Sequence, residues 1–219
     1  MVPNETQRRV RRKMDLTNPT RALAPTIDLQ LLTILAGVSG EMSGSEVSRL
    51  ATSVTPRGVF KALKRLETEG IVQVRTASRL NFYSFNRDHV AADAAVAAMG
   101  LRQKLFGRIK SKVKSWKIQP VSLAIFGSAV RGDGTSESDI DVLVIRSNKI
   151  EEDSPAWEEQ IYELSQLIYK WSGNRASMIQ ANEKEIAQMV KSKKPIVNSL
   201  KKDALYLVGP NLIMSETKR

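Results

Sequence analysis

The stretch that decides the fold spans residues 121–145 and reads VSLAIFGSAVRGDGTSESDIDVLVI. It begins and ends with apolar runs, Val121–Phe126 and Val142–Ile145, whose β-branched and aromatic content is typical of buried strands. We therefore predict two strands joined by a polar segment. Six residues in or next to that segment are candidates for ligand binding or catalysis: Gly127, Ser128, Arg131, Ser138, Asp139 and Asp141.

This polar segment has the composition of a phosphate and metal site. A Gly-Ser turn between a strand and a helix presents backbone N–H groups and a hydroxyl to phosphate oxygens. Asp139 and Asp141 stand at i and i+2, which places both carboxylates on one face of a strand. Such an all-oxygen pair suits Mg²⁺, which binds carboxylates together with substrate phosphates. With Arg131 available to neutralise a leaving pyrophosphate, the pattern predicts metal-assisted nucleotidyl transfer.

The pattern Gly127-Ser128-Ala-Val-Arg131-Gly132, followed by Ser138-Asp139-Ile140-Asp141-Val-Leu-Val, resembles the GSxxRG…SDxDxxV signature of the DNA polymerase β-like nucleotidyltransferase superfamily, in its minimal nucleotidyltransferase branch. The resemblance implies an α/β nucleotidyltransferase domain over residues 121–219. It implies Mg²⁺ and an NTP as cofactors, with ATP the favoured NTP. Asp139 and Asp141 take the catalytic and metal-binding roles. The implied nucleotide-binding residues are Gly127, Ser128, Arg131 and Ser138.

The family usually has a third carboxylate on the next core strand, where it completes the metal site and accepts the proton of the attacking hydroxyl. We predict that strand at Arg175–Gln180. Aligning its ASMIQ with the usual VDLV pattern places Ser177 where the aspartate belongs, and Glu183 is the acidic neighbour. Three alternatives stay open: a slow enzyme, an enzyme with another base such as Glu183, or a domain that only binds nucleotide.

Charge is distributed unequally along the chain. The net charge is +11, and residues 1–120 hold 21 Lys and Arg against 9 Asp and Glu, whereas residues 121–219 hold 13 against 14. This asymmetry favours a polyanionic partner for the first half. Residues 1–14 are basic and nearly free of apolar side chains, so we predict a flexible arm that follows phosphates or lies in a minor groove. The alternative is an extension without a role.

Periodicity and capping signals predict three helices in the first half. Apolar residues from Ile27 to Leu35 recur at helical spacing. Ser43 and Glu46 form the pattern of a capping box for the second helix. The third helix has Thr55 as N-cap, Pro56 in its first position, and Gly70 after its end.

Two strand-like runs follow, Ile71–Arg75 and Leu80–Phe85, and predict a hairpin with its turn around Thr76–Ser78. Three helices and a hairpin are the order of a winged helix-turn-helix. Residues 15–86 resemble the winged-helix transcription regulators, most clearly in LKRLETEGIV from Leu63 to Val72.

This second resemblance implies binding to double-stranded DNA, with the third helix in the major groove and the wing on flanking phosphates. Some winged helices bind only proteins, which is the alternative. The predicted DNA-binding residues are Thr55, Arg57, Lys61, Lys64, Arg65, Arg75 and Arg79.

Residues 87–120 predict one long helix, or two joined at Gly100, that acts as a basic linker or a dimerisation helix. The fold class is therefore α+β, with a winged helix, a linker helix and a nucleotidyltransferase domain. Since winged helices usually read two half-sites, we predict a homodimer.

Composition excludes several other classes. With no Cys and one His, disulfide scaffolds, Cys/His zinc sites and Cys or Ser–His nucleophiles are excluded unless His89 serves alone, and we expect His89 on the surface. No apolar segment approaches the ~20 residues of a membrane span, and the N-terminus lacks an apolar signal core. We predict a cytoplasmic protein without membrane contact.

The functional hypothesis that unites these features is a DNA-binding regulator whose second domain binds NTP and Mg²⁺ and transfers a nucleotide to a protein or small molecule. A partner toxin is one such acceptor, because some regulators that fuse these modules are thought to act in toxin–antitoxin or defence loci. The alternative is a regulator whose second domain is a degenerate nucleotide sensor or docking module. A third is an enzyme that modifies RNA or an antibiotic.

Overall fold

The structure, a computed structural model, falls into two units, of which one is a continuous segment and the other combines two segments of the chain. The first unit comprises residues 18–104. The second unit combines residues 105–217 with the short segment 14–17. The boundary lies inside a helix, so the segment 87–120, predicted as a linker, is divided between the two units. The residues that the structure describes are 14–23, 26–51, 54–133, 138–151 and 153–217.

The first unit contains helices α1 to α4 and strands β1 to β3. Its elements in chain order are a 3-10 helix Pro19–Ala22, α1 Asp28–Ala36, β1 Met42–Ser43, α2 Gly44–Leu50, α3 Pro56–Thr68, β2 Val72–Ala77, β3 Leu80–Phe85, α4 Ala92–Met99 and the beginning of α5, Leu101–Lys114.

The predicted helix caps are confirmed. At the start of α2, the Glu46 backbone N–H donates to Ser43 Oγ (3.3 Å) and the Ser43 N–H donates to the Glu46 carboxylate (2.8 Å). At the start of α3, the Thr55 hydroxyl accepts the Gly58 N–H (3.2 Å). Gly70 follows α3 with φ +79°, a conformation that favours glycine. These local bonds satisfy backbone groups that a helix end leaves without partners.

The three strands form an antiparallel sheet in the order β1-β3-β2. The hairpin is confirmed, but the predicted turn position is wrong by two residues. Thr76 and Ala77 still belong to strand β2, and the turn consists of Ser78 and Arg79 with φ of +49° and +64°. A two-residue loop with positive φ at both positions matches the right-handed twist of the strands, which explains the later turn. Strand β1 was not predicted.

One apolar face of α3 contributes to the core of the first unit. Val59, Leu63 and Leu66 are buried against Leu31 and Leu35 of α1. Hairpin residues pack in the same cluster. The opposite face of α3 is exposed. Burial of one face thus determines which α3 side chains meet the solvent.

The second unit is built around a four-stranded sheet. Its elements are the rest of α5, β4 Ser122–Phe126, α6 Ser128–Arg131, β5 Ile140–Arg146, α7 Pro155–Ser172, β6 Ala176–Asn182, α8 Glu183–Lys191, α9 Pro195–Asp203, β7 Leu205–Val208 and α10 Leu212–Thr217.

The sheet of the second unit has the order β6-β5-β4-β7. β4 pairs antiparallel with β5 and β7, whereas β5 and β6 are parallel, and α7 makes the crossover between them. Gly173, with φ +76°, ends α7 and turns the chain back to the start of β6. The starts of β5 and β6 therefore lie side by side, next to the end of β4.

The core of the second unit packs α5 and α7 against the sheet. Trp157 is fully buried and meets Trp116 edge to face, with ring centroids 5.7 Å apart. Of the two alternatives for residues 87–120, one long helix or two joined at Gly100, the structure has two helices, α4 and α5, that meet at Gly100. In the described part of the chain no helix is long and apolar enough to cross a membrane. The predicted arm 1–14 lies outside the described residues apart from Met14.

Candidate functional site

Gly127 is the residue around which the site of the second unit is built. It follows the last residue of β4 and has φ +71° and ψ −150°, a conformation that is essentially open only to glycine. A Cβ added at Gly127 would lie 2.6 Å from Oδ2 of Asp141. The glycine thus permits both the sharp turn and the close approach of a carboxylate to the backbone.

The two aspartates are differently placed. Asp141 lies in β5 opposite Phe126 of β4 and is half-buried, whereas Asp139 directly precedes the strand and is exposed. The prediction that both lie within one strand is therefore wrong for Asp139. Burial raises the pKa of Asp141, and the nearby charge of Asp139 raises it further. A pair of carboxylates that disfavours its own ionisation is an arrangement that a cation would stabilise.

Ser177 lies beside Asp141. The two residues are register partners in the parallel strands β5 and β6, and the Ser177 hydroxyl donates a hydrogen bond to the Asp141 carboxylate. That hydrogen bond and, to a smaller extent, the positive charge of Arg131 partly offset the rise in the pKa of Asp141. The position that the alignment assigned to a third carboxylate therefore holds a hydroxyl.

The donor set of this site fits Mg²⁺ only together with a nucleotide. Among the residues that the structure describes, no three His, Cys, Asp or Glu side chains are grouped to hold an ion. Asp139 and Asp141 supply two carboxylates, and Mg²⁺ commonly takes one or two of these plus substrate phosphates. The residues therefore fit a metal that arrives with a triphosphate.

Glu183, the alternative base predicted from the sequence, lies at the opposite end of β6 from Ser177. It follows β6, six residues beyond Ser177, which at ~3.3 Å per residue amounts to about 20 Å. Glu183 is the first residue of α8, and its carboxylate accepts a hydrogen bond from the Asn148 backbone N–H (3.3 Å). Glu183 as the base for chemistry at Asp141 is thus wrong, because parallel pairing of β5 and β6 separates the two residues.

Arg131 ends the short helix α6, and two carboxylates hold its guanidinium. Its Nε donates to Asp133 (2.8 Å), and its Nη1 donates to Asp203 at the end of α9. The Asp203 side chain is only 5% exposed. These bonds raise the pKa of Arg131. From the sequence we predicted that Arg131 neutralises a leaving pyrophosphate, but nothing in the sequence pointed to Asp203, which is 72 residues away in the chain.

The other predicted nucleotide-binding residues surround the same place. Ser128 begins α6, where its carbonyl accepts the Gly132 N–H (2.9 Å). Ser138 precedes Asp139, and its carbonyl accepts a hydrogen bond from Asn174 Nδ2 (3.2 Å). The structure thus brings together Gly127, Ser128, Ser138 and both aspartates around the end of β4 and the start of β5. Asn174 was not among the predicted site residues.

The predicted DNA-binding residues of the first unit are all exposed, but ion pairs divide them into two groups. Arg65 pairs with Asp28, Lys64 with Glu67 (3.0 Å), and Arg75 binds Glu41 through Nε (2.8 Å) and Nη2 (2.6 Å). Within the described part of the chain, the remaining cations have no ion pair; these are Arg57, Lys61 and Arg79.

Comparison with known proteins supports the assignment of the second half. Residues 103–207 match the family model described as "Nucleotidyltransferase domain". This match covers just under half of the chain and agrees with the domain that the first resemblance predicted, within a mixed α+β architecture. No curated protein sequence matches the chain.

Solved structures resemble the chain over about half its length. A crystal structure of a toxin–antitoxin with AMP-PNP has 15% identity and a TM-score of 0.35, and covers 52% of this chain and 84% of that one. A mutant of the toxin–antitoxin MntA-HpeT has 13% identity, the same TM-score and the same coverage. A candidate nucleotidyltransferase from Sulfolobus solfataricus has 20% identity and a TM-score of 0.29, covering 49% and 83%.

Proposed function

We propose that the second unit is a Mg²⁺-dependent nucleotidyltransferase that uses an NTP, with ATP as the first candidate. The observation that carries this proposal is the contact between Gly127 and Asp141. A glycine-only turn for phosphates is pressed against a half-buried carboxylate, and a second carboxylate stands two residues away. Few other chemistries need a phosphate turn and a carboxylate pair in contact.

In this proposal the chain binds and orients the triphosphate. The backbone at Gly127 and the hydroxyl of Ser128 bind its phosphate oxygens. Asp139 and Asp141 hold Mg²⁺, which when bound neutralises the phosphates and favours in-line attack at the α-phosphorus. Arg131 keeps α6 against Asp203 and adds positive charge on the same side. The acceptor is a hydroxyl of a protein, such as a partner toxin, or of a small molecule.

Turnover depends on how the attacking hydroxyl loses its proton. A positioned base is typically worth 10²–10⁴-fold in rate, and the strand position beside Asp141 holds Ser177 rather than a carboxylate. We infer a slow transferase. The second candidate for this unit, a nucleotide sensor or docking module, requires binding without transfer.

The test is incubation of the purified chain with each α-labelled NTP and Mg²⁺, with and without cell extract, alongside calorimetry of the same mixtures. Asp139→Asn and Asp141→Asn should abolish Mg²⁺-dependent binding and labelling. Asp93→Asn, on the exposed start of α4, is the matched control. Binding without label in any mixture would select the sensor, and no binding of any NTP would refute both functions.

We propose further that the first unit is a winged helix that binds duplex DNA as a homodimer, so that the chain is a transcription regulator. The order α1-β1-α2-α3-β2-β3 and the two-residue wing turn support this proposal. So does the position of the cations without ion pairs. Arg57 and Lys61 lie on the exposed face of α3, and Arg79 lies at the tip of the hairpin.

The salt dependence of the affinity for DNA tests both the binding to DNA and the homodimer. A dimer with three phosphate contacts per copy neutralises about six phosphates and should lose ~10³-fold in affinity between 50 and 200 mM salt, whereas a monomer with three should lose only ~40-fold. The assay is retardation of the upstream region of the gene. Lys61→Ala should weaken binding, and Lys170→Ala, which removes an exposed lysine of α7 in the second unit, is the matched control. No retardation at low salt would refute DNA binding.

A further inference from the structure

Asn174 is a fully buried polar side chain outside the predicted site. It lies in the turn between α7 and β6, directly after Gly173. Its side chain makes hydrogen bonds in two directions. Nδ2 donates to the Ser138 carbonyl (3.2 Å), and Oδ1 accepts the Met14 backbone N–H (3.2 Å). Its own backbone N–H donates to Ser172 Oγ (3.1 Å). A buried amide with this many partners holds the chain segments around it in one arrangement.

The first of those segments leads directly into the carboxylate pair. Ser138 immediately precedes Asp139, and two residues later the Ile140 N–H donates to the Arg175 carbonyl (2.8 Å). The turn at Asn174 and Arg175 therefore supports the backbone on both sides of Asp139. Asp139 itself lies just before β5, so these two bonds flank it at the point where the strand begins.

The second segment is residues 14–17, here called the strap. The Met14 N–H also donates to the Ser172 carbonyl (2.9 Å), and Leu16 is buried in the core of the second unit among the residues of α5 and α7. The strap is 160 residues from Asn174 in the chain. It is followed at once by Asn18, where the first unit begins. The first unit is thus inserted in the chain between the strap and the rest of the second unit.

We propose that Asn174 is a positioning residue that holds Asp139 in place for Mg²⁺ and nucleotide, and that the strap completes this support. The proposal rests on the proposed nucleotide site. Its physical basis is that groups behind a metal ligand determine where the ligand stands, and that their loss typically costs 10–100-fold in affinity. The segment that enters the first unit is then a structural part of the nucleotide site of the second.

The test measures binding of α,β-methylene-ATP with Mg²⁺ by calorimetry, because this analogue cannot transfer its nucleotide. Asn174→Ala removes both side-chain bonds and should weaken binding about 10-fold. Asn174→Asp keeps the acceptor for Met14 but turns a carboxylate oxygen toward the Ser138 carbonyl, so it should weaken binding as well. Met14→Pro removes the donor to Asn174 and Ser172, and Met14→Ala keeps it. Proline should weaken binding and alanine should not.

Two controls separate positioning from general loss of stability. Ile186→Val truncates a fully buried side chain in another cluster of the same unit. It should leave nucleotide binding unchanged when compared with an Asn174 variant whose thermal midpoint falls by the same amount. Asn148→Asp repeats the charge change at the far end of the sheet. Hydrogen exchange supplies a readout besides binding: the Ile140 amide should exchange faster in the Asn174 variants than in Ile186→Val.

The outcomes are distinct. If the wild type does not bind the analogue, the proposed nucleotide site is wrong. If it binds, and both folded Asn174 variants bind equally well, the positioning role is wrong. If neither Asn174 variant folds, the Met14 pair decides, and equal binding by proline and alanine would overturn the proposal.

Discussion

Gly127→Ala should damage both the stability and the nucleotide binding of the second unit. Alanine cannot adopt φ +71° and ψ −150° without strain, which costs of order 1–3 kcal/mol. Its Cβ would meet Asp141 Oδ2 at 2.6 Å, whereas ordinary contacts begin at 3.4 Å, so the carboxylate must move by about 0.8 Å. Mg²⁺ requires ligands near 2.1 Å in octahedral geometry, and such a displacement should cost roughly 10- to 100-fold in affinity for an NTP with Mg²⁺.

The assay combines urea unfolding with calorimetry of ATP and Mg²⁺. Two glycines of the same chain serve as controls. Gly209 also has positive φ, +70°, and a Cβ there would meet the Val121 carbonyl at 1.9 Å, so Gly209→Ala should destabilise the unit through backbone contacts that do not involve Asp141. Gly107 lies in α5 with open space around it, and Gly107→Ala should stabilise the chain by roughly 0.5–1 kcal/mol.

The expected signature is therefore loss of binding that stability alone does not explain. Gly127→Ala and Gly209→Ala should both lower the free energy of unfolding, but only the first should lower the affinity of the folded protein for nucleotide. If folded Gly127→Ala binds ATP and Mg²⁺ as tightly as the wild type, the contact between Gly127 and Asp141 does not determine the geometry of the site.

Three further predictions concern the same unit. Ser177→Asp restores a carboxylate beside Asp141 and should raise nucleotidyl transfer by roughly 10²–10⁴-fold, measured with labelled NTP; no change would mean that another group already serves as the base. Asp141→Asn should stabilise the metal-free chain near pH 7, since burial raises the pKa of Asp141 and its ionisation therefore opposes folding; the gain should vanish as the pH falls below the ordinary Asp pKa, as urea unfolding across pH will test. Arg131→Ala leaves the nearly buried Asp203 without its cation and should lower the thermal midpoint, and combining it with Asp203→Asn should recover part of the loss; additive losses would exclude coupling between the two residues.

Local signals in the sequence predicted most elements of the fold. The caps at Ser43 and Thr55 depend on residues three positions apart, and the glycine after α3 depends on its own φ, so each can be read from neighbouring residues. Strand β1 is only two residues long and forms by pairing with β3, so it has no periodicity of its own. The turn at Ser78 and Arg79 has no glycine or asparagine, which hid its position.

The sequence predicted which residues form the site but not which residues hold them in place. Gly127, Asp139 and Asp141 lie within 15 positions and follow a known signature. Asp203 and Asn174 reach the site from distant positions in the chain, and neither has a local pattern that would distinguish it. The same holds for Glu41 and Asp28, whose pairing with Arg75 and Arg65 reduces the cations available to a polyanion. Contacts of this range follow from the tertiary structure alone.

Taken together, the geometry explains why metal and nucleotide are expected to bind as one. Asp141 is half-buried beside Asp139, so ionising both carboxylates without a cation is unfavourable, and its neighbour on β6 offers only a hydroxyl donor. An ion alone would find two carboxylates and solvent, which is a weak site for Mg²⁺. A triphosphate alone would bring its negative charge to a carboxylate pair. Each ligand supplies what the other lacks, because the phosphates complete the shell of the ion and the ion neutralises the charge between phosphates and carboxylates.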